Sequence, residues 1–201
     1  MLKNIKIPIC SRMQSLQLLR QIPSRLSSKT FTSTAIKCES VKTCLVSMKD
    51  GPPPALVLGV AGLIPFASAP AYMIQMNEFM PLIAEGQMAY GAVILSFLGG
   101  VRWGKLVTPS STIEPSWTQF ASSVSPSLIA WPALLMNSYP LATVTVTAGL
   151  GLCGYIDFKQ YGYQPWFKGL RIVLTTVASV SLLLSLALSF ILDEKPKKML
   201  E

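Results

Sequence analysis

Apolar positions dominate the chain from residue 55 to residue 192. They come in runs, without the alternation of half-buried strands. Residues 55–77 contain no charge, residues 79–101 contain one (Glu85), residues 115–156 contain none over 42 positions, and residues 172–192 contain none. A helix needs about 20 apolar residues to cross the roughly 30 Å hydrocarbon layer of a bilayer. The 42-residue run is long enough for two crossings, with Asn137-Ser138-Tyr139-Pro140 as the natural turn between them. The pattern predicts five spans at about 55–76, 80–101, 119–136, 141–157 and 171–192. The third and fourth are the shortest and most polar. Strand or loop exposed to lipid would leave backbone groups unpaired, so these runs must be helical. A soluble helical core would need charged faces, which they lack. The expected fold is an all-α, five-helix transmembrane bundle in a lipid bilayer, preceded by a basic, largely disordered leader.

Charge divides the chain the same way. Only 13% of the 201 residues are charged, where a soluble domain has about 25%. The formal net charge is +8. Residues 1–49 hold nine basic residues and one acid, residues 50–192 hold five of each, and residues 193–201 hold three of each. The excess therefore belongs to the leader and does not describe a nucleic-acid surface. The layout expected is a targeting leader and linker at 1–49, a transmembrane domain at 50–192 and a polar tail at 193–201. On a helix, Leu2, Ile5, Ile9, Met13, Leu16 and Leu19 fall on one side, and Pro23 ends the pattern. An Arg- and Ser-rich, acid-poor, amphipathic leader has the composition of a mitochondrial transit peptide. It has no uninterrupted apolar core of about 7–15 residues, which a secretory signal requires.

Five spans put the two ends of the domain on opposite sides of the membrane. The N-terminal side would hold Lys49, Arg102, Lys105, Lys159, Lys168 and Arg171, and the other side Glu78 and the uncharged 137–140 turn. By the positive-inside rule the N-terminal side is the inner one. For the mitochondrial inner membrane this is the matrix, with the C-terminus in the intermembrane space.

Chemistry is sparse. The chain has no histidine, which excludes a Ser-His-Asp triad, a Cys₂His₂ zinc site and a His-ligated haem. Cys10, Cys38 and Cys44 form no CxxC pair, so no metal or dithiol site is expected there. Cys153 reads as a small packing residue. Ala92, Ser96, Gly100 and Gly104 recur at every fourth position of the second span, a stripe that lets helices approach closely. Similar rows run through Thr143, Thr147 and Gly151, through Thr145, Gly149 and Cys153, and through Ser181, Ser185 and Ser189. These predict tight packing within the bundle, or a seam for another inner-membrane protein. Pro65, Pro70, Pro126 and Pro132 kink the first and third spans. Trp103, Trp117, Trp166, Tyr161 and Tyr163 fall at span ends, where aromatic rings sit at headgroup level. Trp131 lies within a span, so its indole N–H needs a partner. Glu85 reads as an interfacial carboxylate, or as a proton or cation ligand with Gln87 and Tyr90. Arg102, Asp157 and Arg171 end up at one membrane face. An isolated intramembrane charge costs about 2.5–3.5 kcal/mol on insertion scales, so Asp157 is expected to pair with Arg102 or Arg171.

The run from Gln87 to Gly104, QMAYGAVILSFLGGVRWG, resembles the signature of the transmembrane protein 69 family, small multi-pass proteins built on a domain of unknown function shared with bacteria. Residues Ala61-Gly62-Leu63-Ile64-Pro65-Phe66 resemble that family's first span, and Pro165-Trp166-Phe167-Lys168-Gly169-Leu170-Arg171 its entry to the last. The resemblance covers about residues 55–192 and singles out Gln87, Tyr90, Ser96, Gly99, Gly100, Arg102, Trp103, Gly104, Trp166 and Arg171. It implies an integral, mitochondrial membrane protein without catalytic residues, cofactor or metal to carry over. The expected role is a non-enzymatic scaffold or assembly partner. A carrier for a small solute or protons is the alternative, using Gln87, Tyr90 and Arg102 around a polar cavity. An intramembrane enzyme acting on a lipid or quinone is a remote third reading.

Overall fold

The computed structural model describes residues 40–108, 116–160 and 162–192. Residues 1–39 of the expected leader and the tail 193–201 lie outside the described residues, as does Tyr161. All regular structure among the described residues is helical: α1 (Val41–Val46), a 3-10 turn (Ser47–Asp50), α2 (Pro53–Ala61), α3 (Ile64–Met76), α4 (Pro81–Val107), α5 (Trp117–Leu135), α6 (Tyr139–Lys159) and α7 (Pro165–Ile191). By length and composition, α2 with α3, α4, α6 and α7 can each cross a membrane. The fifth helix, α5, lies against α4 and α6 and completes the bundle. Four serines and two prolines leave it short of the apolarity of those four spans.

The ends follow from local sequence. Proline stands in the first turn of α2, α3, α4, α6 and α7, where its missing N–H would have had no partner. At the start of α5, Ser116 and Gln119 form a capping box, each side chain accepting from the other's backbone N–H. The third helix, α3, ends on Asn77 in the left-handed region, φ 52°, which Asn tolerates better than most residues. Two boundaries differ from the sequence expectation. Helix α4 continues to Val107, beyond residue 101, because Arg102 finds its counter-charge inside the bundle. Helix α7 starts at Pro165, well before 171, so that Lys168 and Arg171 belong to its buried first turns. Residues 41–49, assigned by charge to the linker, form α1 and, with Asp50, the 3-10 turn, which pack on α7. Cys44 is fully buried there, its carbonyl against Gly169. It is disulfide-bonded.

The centre is apolar. Phe66 from α3, Leu95 from α4, Val146 and Leu150 from α6, and Leu182 from α7 meet with almost no exposed area. A second cluster of Met73, Phe79, Ala84 and Leu188 closes the end away from α1, where the Phe79 and Tyr139 rings lie 5.8 Å apart. Close approach depends on particular glycines. A side chain at Gly99 would strike the carbonyl of Ser123 on α5, and a Cβ at Gly149 would lie 2.6 Å from Leu95. Gly91 meets Val146. The stripe predicted to pack inside divides differently: Ala92 is buried and Ser96 half-buried, but Gly100 and Gly104 are exposed with nothing within 4 Å of an added Cβ. Their rows turn outward because the helix's inner face runs through Leu95, Gly99 and Arg102. Gly151 likewise faces out. Trp131 is 63% exposed on the outside of α5, so its indole is not the buried donor the sequence suggested.

This packing predicts opposite outcomes for neighbouring glycines. Gly99→Val should destabilise the detergent-solubilised protein by about 1–3 kcal/mol through overpacking. Gly100→Val should leave thermal unfolding close to that of the unmodified chain.

Candidate functional site: a charged knot at the basic end

Lipid gives no hydrogen bonds, so a helix broken by proline must have its freed carbonyls answered from within the protein. Pro70 removes the N–H that would reach the carbonyl of Phe66 four residues earlier. Gln87 Nε2 on α4 donates to that carbonyl at 2.9 Å. Tyr90, one turn further along α4, donates its hydroxyl to the carbonyl of Gly62 at 3.1 Å, at the break between α2 and α3. Its ring lies 5.1 Å from that of Phe66. Pro126 leaves the carbonyl of Ser122 short of a donor in the same way. Arg102 Nη1 approaches it at 3.4 Å, and Ser125 Oγ at 3.1 Å.

Arg102 is also the first member of the strongest polar constellation. Its Nε donates to Asp157 Oδ1 at 2.8 Å, and its Nη2 to the carbonyl of Cys153 at 2.7 Å. Arg171 Nε donates to the other carboxylate oxygen, Asp157 Oδ2, at 3.0 Å. One carboxylate on α6 thus joins α4 to α7, bridging two arginines where the sequence suggested one. All three residues are at least nine-tenths buried. Lys168, also buried, donates to the carbonyl of Phe158 at 2.9 Å. This carbonyl lies at the C-terminal end of α6, where the helix dipole favours a cation. Lys105 stands 3.7 Å above the centre of the Tyr163 ring, a cation–π contact. The Tyr163 ring lies 4.9 Å from Phe167.

The remaining motif residues are spread around this knot. Trp103 packs edge-on against Phe120 at 4.8 Å. Trp166 covers Gly51, contacts Phe167 and donates to Gln164. Ser96 lies part way up α4, and Gly100 and Gly104 are on its far side. The sequence reading did not single out Lys168, Lys105 or Tyr163. The first of them was legible from Pro165, whose place in a first turn moves the start of α7 back and draws Lys168 into the bundle.

Burial first, and then the negative charge of Asp157, push the Tyr163 phenol up to about 12 against the opposing effect of the two arginines. The phenol therefore keeps its proton at neutral pH. Its hydroxyl and Arg171 Nη2 are buried with no hydrogen-bond partner. No group of three metal-ligating side chains occurs among the described residues. A groove of about 430 Å³ opens sideways between α3 and α4, lined by Pro65, Ser68, Ala69, Tyr72, Ile83, Gly86 and Gln87. It is mainly apolar, and it is distinct from the charged knot.

Residues 51–187 match the family model described as "Protein of unknown function (DUF3429)". The chain is 46% identical over 151 residues to a protein named Transmembrane protein 69 from Xenopus tropicalis, covering 74% of this chain and 60% of that protein. It is 42% identical over 159 residues to Transmembrane protein 69 from Mus musculus, covering 78% of this chain and 65% of that one. The chain thus spans a little under two thirds of the length of these curated relatives. No solved structure matches it. The resemblance carried by residues 87–104 points to the same relatives.

Asp157→Asn would leave two buried guanidiniums without their counter-charge and should cost about 3–5 kcal/mol of stability. Lys159→Gln, on the exposed side of the same helix end, should change it by less than about 0.5 kcal/mol. Thermal unfolding in detergent measures both. Tyr163 also gives a pH signature. Its folded value lies above the ordinary tyrosine value of 10.0, so the stability it contributes is complete below about pH 10 and is lost as pH rises towards 12. Tyr163→Phe should flatten the unfolding midpoint over that alkaline window and leave its slope unchanged near pH 7.

Proposed function

The chain belongs to the family of unknown function DUF3429, and on that premise we propose that it works as a non-enzymatic, multi-pass protein of the mitochondrial inner membrane that docks other membrane proteins in a scaffold or assembly role. That it is a membrane protein with several spans rests on its apolar helices and the names of its relatives. The docking role rests on one observation: Gly100 and Gly104 stand one turn apart on the outer face of α4 with open space before them. In lipid, association between helices depends on close van der Waals contact, and small residues four apart permit it. Exposed Phe97 and Trp103 flank this seam, offering large side chains to a partner helix. The mitochondrial reading is supported by the composition of the leader. Matrix placement of the N-terminal side is supported by the basic residues gathered at the α4–α6–α7 end.

The geometry gives less to a carrier. Gln87 and Tyr90 are engaged with backbone carbonyls and Arg102 with Asp157, and side chains fill the bundle centre. The lateral groove is apolar where solute transport would need a polar path. An intramembrane enzyme would have to draw its acid and base from this same set of residues.

In blue-native electrophoresis of mitochondria expressing the tagged full chain, we expect migration in an assembly larger than the monomer. Gly100→Leu with Gly104→Leu should release the chain to the monomer position while its thermal unfolding is retained. A free monomer in the unmodified protein would overturn the docking role. Recovery of the tagged chain outside the mitochondrial membrane fraction would overturn the location.

A further inference from the structure

We propose that the basic end of the bundle, where Arg171, Lys168, Lys105 and Tyr163 converge, binds a phosphate group of the kind carried by an anionic phospholipid headgroup or a soluble phosphate. The docking role above is independent of this site.

The argument begins with charge balance. Arg102, Lys168 and Arg171 are each at least nine-tenths buried, and Asp157 is the one buried carboxylate among the described residues here. Buried charge of one sign is costly in a low-dielectric region unless an opposite charge answers it. The carboxylate cannot supply more: its two oxygens are already taken by the Nε atoms of Arg102 and Arg171.

The donors that remain have the character of an anion site. Arg171 meets Asp157 through Nε, and its Nη2 is buried without an acceptor. Arginine presents donors in a fork suited to phosphate oxygens, and lysine adds a point charge. Tyr163 supplies a second unpartnered donor in its buried hydroxyl. Tyr163 is close enough for Asp157, Arg102 and Arg171 to act on its titration, so its hydroxyl and Arg171 belong to one neighbourhood. Lys105 on the Tyr163 ring brings a cation to the same place. The position suits a headgroup, since this is the end of α4, α6 and α7 and not their middle, and basic pockets between helices on the inner side are where phospholipid headgroups bind.

The test uses the purified full chain in detergent. Its unfolding midpoint is followed while dioleoylphosphatidylglycerol, phosphate-free dioleoylglycerol, inorganic phosphate or sodium chloride of matched ionic strength is titrated in. The proposal expects a rise of several degrees with phosphatidylglycerol beyond dioleoylglycerol, or with phosphate beyond sodium chloride. The first result assigns the site to lipid and the second to a soluble anion. Lys105→Gln with Tyr163→Phe should raise the concentration giving half the shift about tenfold, the scale of hydrogen bonds to a charged group. Each shift is read within one variant, so a change in that variant's own stability cancels. Should the double variant not fold, Tyr163→Phe alone keeps the ring beneath Lys105 and removes only the hydroxyl. It should then raise that concentration by itself. A chain that responds no more to either phosphate source than to its control overturns the proposal. So does a variant that titrates at the unmodified midpoint.

Discussion

Hydrocarbon answers no hydrogen bond, so a polar group inside this bundle is costly unless another protein group answers it. That constraint explains most of the side chains that look chemical. Two helices are broken by proline, and each break strands a carbonyl that a regular helix would have satisfied. The fourth helix supplies the donors: an amide at Gln87 for Phe66, a phenol at Tyr90 for Gly62, and a guanidinium at Arg102 for Ser122. Kinked helices and a donor-bearing neighbour are therefore one device. Without α4 the prolines of α3 and α5 would leave carbonyls short of donors, and without Pro70 the buried amide of Gln87 would have little to bind.

The same constraint, applied to charge, shapes the basic end. A lone Asp157 in α6 would be expelled or neutralised, and so would a lone Arg102 or Arg171. Together they are tolerable, and they tie three helices at one level. The opposite end is closed by the apolar cluster around Met73 and Phe79. The knot is held by direction-dependent hydrogen bonds and that cluster by area burial, which accepts small shifts more readily.

Much of this was legible in the sequence. Charge-free runs located the spans, because length and apolarity are local properties. The proximity of Asp157 to both arginines followed from alternating span direction. Which face of α4 turned inward did not follow. Ala92, Ser96, Gly100 and Gly104 form a row of small residues, and the neighbouring row holds Gly91 and Gly99 with Leu95 between them. Spacing alone cannot rank the two rows, because the choice depends on what α5 and α6 present opposite. Gly99 wins where the carbonyl of Ser123 comes closest, at the kink made by Pro126. Trp131 was misjudged for a related reason: a residue in the middle of a span is central along the membrane normal, but can still face lipid. Lys168 was missed because the last span was started at the end of the charges, when Pro165 was the better marker of its first turn.

The run from Gln87 to Gly104 reads as a single signature, yet the structure divides it among different physical tasks. Gln87 and Tyr90 satisfy stranded carbonyls. Gly91, Ala92, Leu95, Leu98 and Gly99 form the packed inner face. Arg102 answers the buried carboxylate. Gly100 and Gly104 perform none of these, and they lie on the opposite side of the helix from Arg102. A substitution inward of that line acts on folding first, whatever else the residue does. A side chain placed at Gly100 or Gly104 meets nothing within 4 Å among the described residues, so a loss it causes points to contacts outside the bundle. The two glycines are therefore the positions in the motif where an effect on function can be separated from an effect on stability.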